Sequence, residues 1–256
     1  MRRALKRDRL VKIFVGHDAD IEPFLIQQSV LDGLSGYFVK ALQPDKFSEG
    51  ETGVLRFSDD DMDVWKVLLY WTIKLFLPVD GLAASYGCCD LQGLLVRCWA
   101  HGDKYGIGGF QDHVMLELLH SLEGATSHLS VVKTAFDTTA PGSQMRILMA
   151  EEVVNLLKTG NTTSKELDLL DGVVGFTSAL IAALEDYDSQ PNPANFYRLY
   201  DGDHVTCEEW RQFMVNDGPY KHWVFGDARE RGDTGADGAR DGADQNMEVE
   251  EGAVPA

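Results

Sequence analysis

The sequence predicts an α+β fold, and three observations predict it. Short runs of β-favouring residues lie at 11–16, 22–27 and 54–57. Between and beyond them, apolar residues recur at helical spacing as far as about residue 225. The last stretch, 226–256, is rich in Gly, Asp and Ala and has no aromatic residue, so it predicts a disordered acidic tail rather than part of a core. The chain divides into a basic arm (1–10), a mixed strand-and-helix region (11–120), a mostly helical region (129–225) and that tail.

Taken in order, the arm holds Arg2, Arg3, Lys6, Arg7 and Arg9, a short basic run expected to be frayed and solvated. "VKIFVG" and "EPFLIQ" read as two strands joined by a hairpin turn at His17-Asp18-Ala19-Asp20. Ser29 is placed to cap the following helix, which Gly33 and the Ser35-Gly36 pair divide into two short ones. Residues 47–53 read as an exposed connection, and Val54, Leu55 and Phe57 as a strand with Arg56 between two apolar positions. Ser58 and Asp59, Asp60 and Asp61 can accept from the free N–H groups of a helix start, where negative charge also suits the helix dipole. The next segment, 62–73, is polar only at Asp63, Lys66 and Thr72, so Trp65, Leu68, Leu69 and Trp71 are expected core residues.

"KLFLPVDGLAASYGCCD" reads as an extended piece plus a loop because of Pro78, Gly81 and Gly87. Leu91, Leu94, Leu95, Cys98 and Trp99 then fall at helical spacing, with Gly106 and the Gly108-Gly109 pair predicted to end that helix. "FQDHVMLELL" reads as a further short helix. In the second region Met145, Ile147, Leu148, Val153, Val154, Leu156 and Leu157 mark one helix. Residues 165–186 read as one long helix despite Gly172 and Gly175, 189–195 as a loop, and "CEEWRQFMV" as a final helix.

The formal net charge of −18 repels nucleic acid over most of the surface, so no nucleic-acid partner is expected there. No apolar run approaches the roughly 20 residues needed to cross a bilayer, so no membrane is expected as a partner either. The N-terminus has no apolar region behind its charges and is expected not to be a secretory signal. Cys88, Cys89, Cys98 and Cys207 lack a framework spacing and are expected to be reduced thiols of an intracellular protein, cytoplasmic or nuclear.

Candidate chemistry is sparse. Cys98-x-x-His101 sets two metal-ligating types one helical turn apart, but zinc needs three or four ligands and no second pair matches; a buried thiol beside a partly exposed imidazole is the expected reading. Cys88-Cys89 reads as a plain loop pair rather than a redox device. "DGDHVTCEEW" superficially fits a calcium loop, but the first two ligand positions would fall on Tyr197 and Leu199. "YGIGGF" reads as ending a helix, where it would lack the N–H groups that cradle phosphate. No nucleophile elbow, P-loop or dinucleotide fingerprint occurs. No cofactor or metal is expected, and the balance favours a non-catalytic binding module over an enzyme.

In four segments the first 120 residues resemble a BTB/POZ domain of the divergent fungal kind. "VKIFVG…FLIQQSVL" is similar to the family's opening hairpin, and Leu31, Ser35, Tyr37 and Phe38 fit its leucine followed by Ser-x-Tyr/Phe-Phe. "FSEGETGVLRFSDDDMDVWKVLLYWT" is similar to its strand, acidic cap and buried helix, and Asp103, Lys104, Tyr105 and Gly106 to its Asp-Lys-Tyr-Gly helix end. The chain departs from the family at Gln27-Gln28 (usually His-Lys), at Gly102 (usually alanine) and in the longer insertion after residue 74. The resemblance implies a short sheet with clustered helical hairpins, followed by a helical extension. It also implies protein–protein interaction: self-association as a homodimer, and in many members recruitment of a cullin to build a ubiquitin ligase, with the chain as adaptor. The family's cullin-contact motif, an apolar residue, any residue, then glutamate, is met by Phe47-Ser48-Glu49. Two readings of Phe47 and Glu49 stand at this point: a partner-contact pair, or a ring tucked against the domain edge beside a solvated carboxylate.

Overall fold

The computed structural model describes residues 8–17, 22–124, 126–189 and 212–216. The basic arm up to residue 7, the calcium-like stretch, most of the 189–195 loop and of the final helix, and the acidic tail lie outside the described residues. The fold is mixed α+β, mostly helical with a small sheet.

Period-two alternation builds the sheet. In β1 (Leu10–Val15), Val11, Ile13 and Val15 are buried while Leu10 and Lys12 face out. β2 (Phe24–Gln27) pairs antiparallel with β1, Ile13 opposite Phe24 and Leu10 opposite Gln27. β3 (Val54–Phe57) lies parallel on the other side of β1, Lys12 opposite Val54 and Val15 opposite Phe57, giving the order β2-β1-β3. A parallel neighbour needs a crossover, and here α1 (Gln28–Leu34), α2 (Gly36–Ala41) and α3 (Ser48–Thr52) supply it. The break falls at Ser35, as the Ser35-Gly36 pair predicts, whereas Gly33 lies inside α1. Ser29 is not a cap: α1 starts straight from the strand, and the N–H and hydroxyl of Ser29 donate to Asp8.

α4 (Met62–Lys74) follows the sequence expectation closely, with Trp65 and Leu68 fully buried and Leu69 and Trp71 below 9% exposure. Asp61 is its N-cap, accepting from the N–H of Asp63 at 2.8 Å. The next stretch is helical, not extended: α5 (Val79–Tyr86) leads into α6 (Cys88–Tyr105). Pro78 and Gly87 stand at the cap positions of these helices, so they delimit helices instead of preventing them. α6 buries Leu91, Leu94, Leu95, Cys98 and Trp99, as their spacing predicts. Gly106 alone turns the chain, and α7 (Gly108–Gly124) begins at the glycine pair expected to end a helix. Glycine's entropic cost is felt most in a helix interior, so the pair is tolerated in the first turn of α7. Gly102 has a packing reason, because a Cβ there would stand 2.6 Å from Cγ of Gln111 on α7.

The second region packs directly onto the first. α8 (Leu129–Thr138) lies against α6 and against α9 (Gln144–Lys158), and α10 (Phe176–Ser189) covers α9. The described residues all belong to one compact unit, Met1–Asn216. The long helix expected over 165–186 is interrupted: a 3-10 turn (Glu166–Leu170) precedes α10, and Gly172 and Gly175 take φ of 73° and 84°, outside the helical region. The buried Arg146 guanidinium fastens this corner, donating to the carbonyls of Phe136, Thr139 and Val174. Among the described residues no helix is long and apolar enough to cross a membrane.

Burial has a cost at Glu151 on α9, a side chain 3% exposed whose Oε2 has no hydrogen-bond partner. Burial, with Asp186 adding to it, pushes its carboxyl up to about 8. The unfolded chain releases this proton near 4.5 and the folded chain keeps it to about 8, so stability should fall as pH rises through that window. Glu151→Gln is expected to remove this slope and to raise the melting temperature at pH above about 8; thermal melts of both chains across pH check it, and parallel pH profiles would contradict it.

Candidate partner-contact site

A buried carboxylate organises the site. Of the three aspartates before α4, Asp60 turns inward, its side chain 5% exposed. It accepts from the Trp65 indole N–H at 2.9 Å, the Tyr105 hydroxyl at 2.6 Å and Lys104 Nζ at 2.7 Å. Lys104 and Tyr105 belong to the Asp-Lys-Tyr-Gly end of α6, so that run of residues binds the acidic cluster across more than 40 positions of sequence. Burial pushes the Asp60 carboxyl up, but hydrogen bonds from Lys104, Tyr105 and Trp65 outweigh it and hold the group below its ordinary value. The same contacts drive the Tyr105 phenol well above its usual range, burial first and Asp60 second.

His101 completes this cluster, and the expectation of a partly exposed imidazole is corrected: the residue is buried, edge-on to Trp65 and Tyr105. Burial pulls it down to about 4, so the ring is neutral at physiological pH. Cys98 is buried as expected, and burial pushes its thiol well above the ordinary range. Among the described residues, no group of three or more His, Cys, Asp or Glu side chains is placed to hold a metal ion.

The cluster supports a surface depression in front of it. Tyr37 packs edge-on against Tyr105, with ring centroids 4.9 Å apart, and Phe57 against Trp65 and Tyr105. Tyr37, Leu55 and Phe57 line a depression of about 260 Å³ together with Lys40, Arg56, Phe47 and Glu49. Residues 48–52, expected to be an exposed connection, form α3, and Phe47 is its N-cap residue. The expected exposure survives at Phe47, which is 53% exposed, while Glu49 is half-buried. The structure thus brings the two sequence-predicted residues together on one surface.

Sequence reasoning missed what holds α3 in place. Arg9 reaches from the end of the basic arm and donates to the carbonyls of Gly50 and Glu51, the latter at 2.9 Å. That contact spans about 40 positions and leaves no local signal. Tyr37, Lys40 and Arg56 were legible as residues but not as neighbours of Phe47. Gly50 lies so close to the Gln43 carbonyl that a Cβ would stand 2.0 Å from its oxygen. Gly50→Ala is therefore expected to push α3 off its seat and cost about 1–3 kcal/mol, as overpacking does. A chemical-denaturation curve superimposable on the parent's would contradict that placement.

Comparison with known proteins leaves the assignment to these residues: no family model, curated protein or solved structure matches the chain.

Proposed function

We propose that this chain is a non-catalytic protein–protein interaction module, an adaptor or scaffold, whose contact surface is the depression beside Phe47 and Glu49. The observation that carries the reading is Phe47 itself: an aromatic ring 53% exposed, at a helix start, which lines one depression with Glu49, Tyr37, Leu55 and Phe57. Exposed aromatic anchors with a nearby charge are what protein interfaces use for affinity and orientation. The resemblance to BTB/POZ domains names the partner class, a cullin scaffold of a ubiquitin ligase. The resemblance implies a short sheet with clustered helical hairpins, and a three-stranded sheet followed by a succession of helices supports the reading.

A second reading, a self-associating scaffold of nuclear regulation without a cullin, is favoured by one observation. The outer face of the sheet carries Leu10 and Leu25, each 57% exposed, on strands paired with Lys12 opposite Leu25. Affinity capture of the intact chain from lysate, with identification of the partners, separates the two. Recovery of a cullin supports the adaptor. Recovery of chromatin factors by a chain that light scattering shows to be dimeric supports the scaffold.

A further inference from the structure

Residues 212–216 return to the first region from far along the chain, and they do so as a ligand would. Phe213 is 1% exposed. Two residues on, the N–H of Val215 donates to Oδ1 of Asp112 at 2.7 Å, and the N–H of Asn216 donates to Oδ2 at 3.3 Å. Asp112 lies in the first turns of α7 and is itself 0% exposed. Among the described residues, the hydrogen bonds that its carboxylate accepts come from the N–H groups of Val215 and Asn216. A carboxylate so deeply buried needs such donors, because an uncompensated buried charge costs several kcal/mol. The surface of α7 is therefore incomplete without a peptide on it.

The recognition is also selective at both ends of the segment. The Asn216 side chain sits over Gly108, where a Cβ would come 2.5 Å from its Nδ2. The carboxylate reads two successive main-chain N–H groups, burial of the Phe213 ring supplies apolar area, and the glycine leaves room for an amide. Residues 190–211 connect α10 to this segment. At about 3.3 Å per residue such a connector can extend on the order of 70 Å, enough to reach either its own body or a neighbouring one.

We propose that the first turns of α7, centred on Asp112 and Gly108, form a peptide-binding site for a segment of the pattern Phe-x-x-Asn. Its occupant in the single chain is Phe213-Met214-Val215-Asn216, and the same four residues of a second copy exchange with it when two chains meet. The site is separate from the Phe47 depression, and its test does not depend on that reading.

The test uses the full chain carrying Phe213→Ala, which disables the resident segment, and a fluorescent peptide of residues 210–218. Saturable binding is expected for this variant. The parent chain should bind about tenfold more weakly, because its own segment competes. Adding Asp112→Asn to Phe213→Ala should weaken binding by about tenfold, and a peptide with alanine for phenylalanine should not bind. No saturable binding by a folded Phe213→Ala chain up to about 1 mM peptide, or binding indifferent to Asp112→Asn, overturns the proposal. Should Phe213→Ala fail to fold, a full chain with a protease site inserted between residues 196 and 206 is cut after folding. A C-terminal fragment that leaves on dilution and rebinds saturably supports the site. One that stays attached through gel filtration, or leaves and does not rebind, overturns it.

Discussion

Trp65→Ala is expected to unfold or aggregate the protein. Trp65 is fully buried in the first turn of α4, stacked on Phe57 at 4.8 Å and edge-on to Phe38 and His101. Its indole N–H also donates to Asp60. Removing the ring empties a large volume among β3, α2, α4 and α6, and takes one donor from a buried carboxylate. Truncating a buried tryptophan costs about 3–5 kcal/mol, against a whole-domain stability of about 5–15 kcal/mol. A variant that stays soluble and melts near the parent temperature would show that α4 is not the centre of the core.

Asp60→Ala is expected to be nearly as damaging, for a different reason. It leaves the Tyr105 hydroxyl and the Trp65 indole without their acceptor and Lys104 without its partner. Breaking such a buried pair costs about 3–5 kcal/mol, and Lys104, more than half exposed, moderates the cost because its ammonium can turn to water. The pH dependence follows from the sign of the shift. The Asp60 carboxyl is held below its ordinary value in the folded chain, so its contribution is fully present above the unfolded pKa of about 4. It is lost as pH falls through the lower folded value. Asp60→Ala should therefore flatten the acid limb of the stability profile, the opposite end from the one that Glu151→Gln flattens. An acid limb unchanged in Asp60→Ala would assign that limb to other carboxylates.

Much of this architecture is legible where the signal is local. The alternation of Val11, Ile13 and Val15, the apolar run from Trp65 to Trp71 and the spacing from Leu91 to Trp99 place β1, α4 and α6 on the faces they occupy. Where the decisive contact is distant, local reading fails. Three consecutive aspartates all read as helix-start acceptors, and nothing near them says that Asp61 caps while Asp60 turns inward to Lys104 and Tyr105. The glycines of 50–53 read as a connection because Arg9, which holds α3, lies some 40 positions earlier. Pro78 and Gly87 read as breakers of structure, although at cap positions they separate two helices. Phe47 and Glu49 were readable only as a short motif; their shared depression depends on Tyr37, Leu55 and Phe57 arriving from other elements.

The adaptor reading is tested most directly by titrating a cullin against the intact chain and against Phe47→Ala and Glu49→Ala. On that reading the exposed Phe47 ring anchors the interface, so Phe47→Ala should weaken binding by at least about 2 kcal/mol, roughly thirtyfold. Glu49→Ala should cost less, with an effect that shrinks as salt rises. Both variants should melt with the parent, because neither side chain is buried in the core. The contrary result is a parent chain that does not bind the cullin, or a Phe47→Ala chain that loses thermal stability and binds as tightly as before.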